Sequence, residues 1–206
     1  MTERKSYGQF CGLARSLDRV GDRWTLLIIR ELILGDRTFR ELETALSSVS
    51  PSLLSKRLAE LRDDGLLVRN EAPRRSKRVE YRLTDAGRSL EPVISGLIRW
   101  GSRWMSAGPG DDHVHPHWAP LALAALLDGL PSPAGCVHLD VDGVEVTVAS
   151  TDRGRRVTPG HHGRADAVVA ASLPVVLGIA ANAMTLSDAE ASVSGDPVIA
   201  SAILAP

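Results

Sequence analysis

Four cations fall within five residues, at Arg74, Arg75, Lys77 and Arg78. A strict alternation follows at once, with Val79, Tyr81 and Leu83 apolar and Glu80 and Arg82 polar between them. Alternation of period two marks a strand with one buried face. "LLVRNEA" and "RVEYRLT", joined by "PRRSK", therefore read as a hairpin with its cations on the tip. Guanidinium and ammonium groups so clustered suit the phosphates of a polyanion, along or within a groove of the duplex. A charged tip also protects a hairpin from edge-to-edge pairing, so the cluster alone does not decide between the two roles.

The residues before the hairpin sharpen the choice. "SPSLLSKRLAELRDDG" reads as a helix with Ser50 as N-cap and Pro51 at the first position. Leu54, Leu58 and Leu61 follow the spacing of a buried face. The opposite face carries Ser52, Lys56, Ala59 and Asp63, flanked by Ser55 and Glu60. Lys56 and Arg57 come early and Glu60, Asp63 and Asp64 late, the reverse of what the helix dipole favours. A local rule broken without local gain marks a functional surface. Small hydroxyl residues permit close approach, and the free N–H groups of the first turn attract phosphate. The expected DNA contacts are Thr38, Arg40, Ser50, Ser52, Leu53, Ser55, Lys56 and Arg57, with Arg74, Arg75, Lys77 and Arg78 on the wing.

Three further helices are needed to hold this pair in place. "FCGLARSLDRVG" reads as a short helix ended by Gly21, and "DRWTLLIIRELILG" as a buried central helix stopped at Gly35. "TFRELETAL" begins with Thr38 and Glu41 in a capping box. After the hairpin, "TDAGRSLEPVISGLIRWGSRWM" is capped by Thr84, and Pro92 kinks or restarts it. Leu90, Ile94, Leu97, Gly101 and Trp104 form a seam for another helix. Leu97, Trp100 and Trp104 are the expected dimer contacts, and a dimer built on this helix would space two recognition helices by one DNA turn, ~34 Å.

The whole chain has 206 residues and a formal net charge of −1, which hides a division. Residues 1–105 hold 20 Lys/Arg against 14 Asp/Glu, whereas residues 106–206 hold 4 against 11. The basic half can meet a polyanion and the acidic half is repelled by one. Two cysteines, Cys11 and Cys136, make no disulfide framework and fit a reducing, cytoplasmic setting. No apolar run approaches the length of a membrane span, and no signal core follows the polar N-terminus. There is no nucleophile–base–orienter pattern, glycine-rich phosphate loop or other cofactor motif, so neither an enzyme nor a cofactor is expected. His113, His115 and His117 alternate, but Pro116 interrupts them and "AGPGDD" precedes them. They read as a polar junction rather than a metal site, and His161 and His162 in "TPGHHGR" as a turn.

Beyond "MSAGPGDDHVHP" the composition shifts to Ala, Val and Leu. "WAPLALAALLDGL" reads as an amphipathic helix. "GCVHLDVDG" and "VEVTVAS" read as a hairpin turning at Asp142-Gly143, and "ADAVVAAS" as a strand. "LPVVLGIAANAM" is then a helix, "LSDAEASVSG" a short helix running into a strand, and "DPVIASAIL" a closing helix capped by Asp196. The expected class is α+β, a winged helix-turn-helix followed by a small α+β domain. The domains are 1–107 and 116–206, with a linker at 108–115.

Two resemblances extend this reading. "CGLARSLDRVGDRWTLLIIREL", "FRELE", "VSPSLLSKRLAEL" and "VEYRLTDAGRSL" resemble the HxlR-type branch of the MarR-like bacterial regulators over residues 8–105. That resemblance implies a homodimeric regulator acting on double-stranded DNA. Cys11 stands where such proteins often sense oxidants or electrophiles. Nearby Arg4, Lys5 and a helix start would favour its thiolate. An inert packed cysteine is the competing reading, and a switch would need Cys136 or the Cys11 of a second copy.

The tail from "ADAVVAAS" to "DPVIASAIL" resembles the sterol-carrier-protein-type fold, which implies an apolar cavity for a hydrophobic small molecule. The expected lining is Val137, Leu139, Val146, Val169, Val176, Ile179, Ala180 and Ala183. The same alanines could simply pack helix on sheet and stabilise the dimer. A lipid or acyl carrier whose winged helix binds protein is the alternative to a DNA-binding regulator.

Overall fold

The structure, a computed structural model, describes residues 6–71, 79–105 and 107–205. It divides into two compact units, Met1–Ile94 and Ser95–Pro206.

The first unit opens with α1 (Gly12–Val20), which follows an extended Cys11 and ends at Gly21. The Asp18 carboxylate ties the preceding segment to this helix. It accepts from the Tyr7 amide at 2.9 Å and the Ser6 hydroxyl at 3.0 Å, and the Tyr7 bond leads in holding its pKa below the usual aspartate value. α2 (Thr25–Ile33) is the buried central helix expected, with Ile28, Ile29 and Leu32 fully enclosed. It starts later than its sequence suggests. Asp22–Trp24 form a turn, with Trp24 left-handed at φ 77°, and Asp22 is turned toward Arg57.

β1 (Arg37–Thr38) leads into α3 (Phe39–Ala45), where the Thr38–Glu41 capping box forms as expected. α4 (Pro51–Asp63) buries Leu54, Leu58 and Leu61. β2 (Leu67–Glu71) and β3 (Val79–Leu83) pair antiparallel from Leu67↔Leu83 to Glu71↔Val79. β1 adds a third strand beside β3, and Arg82 reaches across it to Asp36 at 2.6 Å. Two residues are too few for an alternation to register, so this strand was not visible in the sequence.

Thr84 caps α5 (Asp85–Arg88), and the chain restarts as α6 (Glu91–Gly101) with Pro92 in its first turn, where a missing N–H costs nothing. A 3₁₀ turn, Ser102–Trp104, extends α6.

In the second unit a 3₁₀ turn, Pro116–Trp118, precedes α7 (Ala119–Leu127). α7 is not the amphipathic helix expected. None of its residues is exposed, because apolar side chains cover it all round. β4 (Gly135–Val141) and β5 (Val144–Thr151) make the expected hairpin, with Asp142 and Gly143 both at positive φ, as its two-residue turn requires. β6 (Gly154–Pro159) extends the sheet beyond β5.

β7 (Ala167–Ala171) then pairs parallel to β4, and β8 (Ala191–Gly195) closes the other edge. The five strands run β6-β5-β4-β7-β8. α8 (Leu173–Ala180) and α9 (Pro197–Leu204) join α7 in a single core against the sheet. Residues 186–190 form a turn rather than the short helix expected. The Thr185 hydroxyl accepts from the Asp188 amide at 3.3 Å, as a helix cap would, but the chain does not continue as a helix.

Candidate nucleic-acid interface

α4 exposes most of the residues its sequence singled out, with one correction. Ser50 caps it, its hydroxyl accepting from the Leu53 amide at 3.4 Å and lying 3.3 Å from the Ser52 hydroxyl. Ser50, Ser52, Ser55 and Lys56 are exposed and Leu53 is half-buried. The first turn holds no carboxylate. Lys56 approaches Glu60 only at 3.9 Å and keeps about half its side chain in solvent, at 55% exposure.

Arg57 is different. Its side chain is 12% exposed, and Nη1 is held between Asp22 at 2.5 Å and Glu60 at 2.6 Å. It fastens α4 to the turn before α2, so its charge is committed inside the unit and it is not a free DNA contact. This also accounts for part of the inverted charge order. Asp22 and, one turn after the cation, Glu60 both accept from Arg57.

Thr38 caps α3 with its hydroxyl inside the capping box, and Arg40 stands exposed on the first turn. Arg74, Arg75, Lys77 and Arg78 lie outside the described residues. The strands that carry them are in place, paired in register up to Glu71↔Val79.

Leu97, Trp100 and Trp104 are exposed at 44%, 57% and 62%, with Val93 on the same helix at 51%. The two indole rings meet edge-on, centroids 4.5 Å apart, and Arg103 lies over both. A second apolar stripe was missed in the sequence. Phe10, Leu13 and Leu17 on and before α1 are exposed, Phe10 wholly. Their i, i+3, i+7 spacing was legible in the sequence.

Cys11 is exposed at the head of α1, where the Ala14 and Leu13 amides hold its thiol below the usual cysteine value. Cys136 is half-buried, and burial first, then the Asp166 charge, push its thiol up. In the second unit Val137, Leu139, Val146, Val169, Val176, Ile179 and Ala180 all lie in the core between sheet and helices. Ala183 does not. α8 ends at Ala180, and a left-handed Asn182 at φ 58° carries the chain out to solvent. His113, His115 and His117 neighbour one another, but no group able to hold a metal ion occurs among the described residues.

The HxlR-like helix-turn-helix family matches residues 19–109, the stretch that contains α2, the capped pair α3–α4 and the winged hairpin. The chain is 36% identical over 91 residues to the HTH-type transcriptional regulator YvaP of Bacillus subtilis, covering 44% of this chain and 84% of that protein. The chain belongs to the HxlR-like helix-turn-helix family of transcription regulators. The chain is also 35% identical over 98 residues to the HTH-type transcriptional regulator sll1512 of Synechocystis, covering 48% of this chain and 73% of the relative. A solved structure of the redox regulator HypR in its reduced form is 30% identical and spans 45% of this chain and 92% of its own, with a TM-score of 0.43. These matches cover less than half of the HxlR-like chain described here.

Proposed function

We propose that this HxlR-like protein is a homodimer that binds double-stranded DNA through α4 and the cationic wing and changes its grip when a hydrophobic small molecule occupies the second unit. The observation that carries the reading is the exposed first half of α4. Capped N–H groups, small hydroxyls and a solvent-facing Lys56 occur there without a carboxylate in the first turn. The wing cations add a charge that acts on any sequence.

Dimerisation is supported by the two exposed apolar stripes, Phe10–Leu13–Leu17 and Val93–Leu97–Trp100–Trp104, which water disfavours. A sterol-carrier-like second unit is supported by the succession of β7, α8 and the short β8, and by the Gly195-Asp196-Pro197 turn into α9. The ligand would lie among the core residues already named, Ala183 excepted. A redox input through Cys11 is the second reading, favoured by its exposure and depressed pKa.

Selection from a random pool of duplexes tests the main reading. The full chain enriches a two-part site with half-sites about one turn, ~10 base pairs, apart. Lys56→Ala shifts the enriched bases, whereas Arg57→Ala weakens all sites alike and lowers thermal stability, because it removes a clasp and not a base contact. Failure to enrich any sequence would overturn DNA recognition. An unchanged motif with Lys56→Ala would remove that residue from base reading.

A further inference from the structure

Among the described residues on the core face of the five-stranded sheet, Arg155 is the charged one. It stands opposite Ser150 in register, on the face that carries Val146, Val148 and Val157. The residue is 5% exposed. Its Nη2 donates to the Pro131 carbonyl at 3.1 Å, while Nε and Nη1 are buried without a partner.

No carboxylate among the described residues forms an ion pair with it. Asp128, at the end of α7, is engaged elsewhere, accepting from the Val157 amide at 2.8 Å. Burial alone pushes the Arg155 pKa down. A guanidinium enclosed with unmet N–H groups and no counter-charge destabilises a fold unless something else compensates.

Fastening the neighbouring turn does not need this side chain. The backbone of Arg155 already does so, through Gly129 N to Arg155 O at 3.0 Å and Arg155 N to Leu130 O at 3.2 Å. Beside it the Ser132 hydroxyl donates to the Ser150 hydroxyl at 2.8 Å. One end of an otherwise apolar core is thus polar and cationic.

We propose that Arg155 is an anion receptor, and that the second unit binds a small organic carboxylate whose charged group meets Arg155 and whose apolar body follows the core face of the sheet. The carboxylate accepts the free N–H groups and supplies the missing charge. Pro131 and Ser132 flank the site, through the Pro131 carbonyl on Arg155 and the Ser132 hydroxyl on Ser150. This inference rests on the reading of the second unit as a small-molecule domain and deepens it by naming the chemical class.

Calorimetric titration of the full chain with hexanoate and with its neutral analogue hexanamide tests it. Hexanoate binds at least about tenfold more tightly, the scale of one charge-assisted hydrogen bond in a buried site. It also shifts the Arg155 Nε–H resonance. Arg155→Met abolishes the preference and Arg155→Lys retains part of it. Equal binding of the two probes by the unaltered protein overturns the carboxylate assignment but leaves a small-molecule domain standing. Binding of neither overturns both. A preference that survives Arg155→Met, or leaves the Nε–H resonance unmoved, places the anion elsewhere and also overturns the assignment. Should Arg155→Met fail to fold, the two probes on the unaltered protein and the resonance shift still decide.

Discussion

Gly87→Ala lowers the stability of the winged unit by about 3 kcal/mol, the upper range for a methyl group forced into a packed site. A Cβ on Gly87 would stand 2.0 Å from the Leu66 carbonyl oxygen and 3.0 Å from Leu83 Cδ2. Neither neighbour can retreat cheaply. The Leu66 oxygen already accepts from the Thr84 amide at 3.0 Å, and the Thr84 hydroxyl donates to Gly65 at 2.6 Å while accepting from Gly87. These bonds close the base of the hairpin onto α5, so the substitution pries the wing from its support. At ~4–8 °C per kcal/mol for a domain of this size, melting of the first unit falls by well over ~10 °C. Gly96→Ala is the control. It lies within α6 with nothing near its added Cβ, and alanine there raises helix stability by ~0.5–1 kcal/mol. Circular dichroism melts of the two variants separate the cases, and equal midpoints would contradict the close approach at Gly87.

The second large effect concerns assembly. The double variant Leu97→Glu/Trp100→Glu places two carboxylates on the exposed apolar stripe of α6. Both side chains are solvent-facing in the single chain, so the fold tolerates them. In a dimer they would be enclosed without partners, at a cost of several kcal/mol. Sedimentation then shows a monomer. Affinity for a two-part DNA site falls ~10²-fold or more, because the second half-site no longer benefits from linkage to the first. A variant that still sediments as a dimer would move the interface off α6 and leave the α1 stripe as the alternative seam.

The first unit was largely legible because its signals are local. Thr38 and Glu41, Ser50 and Pro51, and Thr84 each announce a helix start within four residues, and each forms the cap its sequence implies. Arg57 was read as a DNA contact because Asp22, one of its two partners, lies 35 residues away and leaves no trace beside it, while Glu60, three residues on, was read only as part of the inverted charge order. The wing was identified from charge and alternation together.

The second unit resisted more. β6 went unseen because Arg155, flanked by Arg156, occupies a core-facing position and breaks the apolar alternation that marks a strand. The feature that concealed the strand is the one that later singled out a candidate ligand contact. α7 was read as amphipathic because Asp128 and Gly129 were counted within its pattern, although the helix ends at Leu127. Ala183 was expected to line the cavity because nothing in "IAANAM" declares that Asn182 turns left-handed.

We propose that the first half of α4 and the wing cations together neutralise DNA phosphates. This is tested most directly by the salt dependence of binding. Titration of the full chain against a duplex carrying its selected site, at 50 and 200 mM salt, should show affinity falling ~10³-fold or more, as expected when six or more phosphates are neutralised per dimer. Arg74→Ala and Arg75→Ala should each flatten that dependence. Affinity that stays constant across this range would contradict the account.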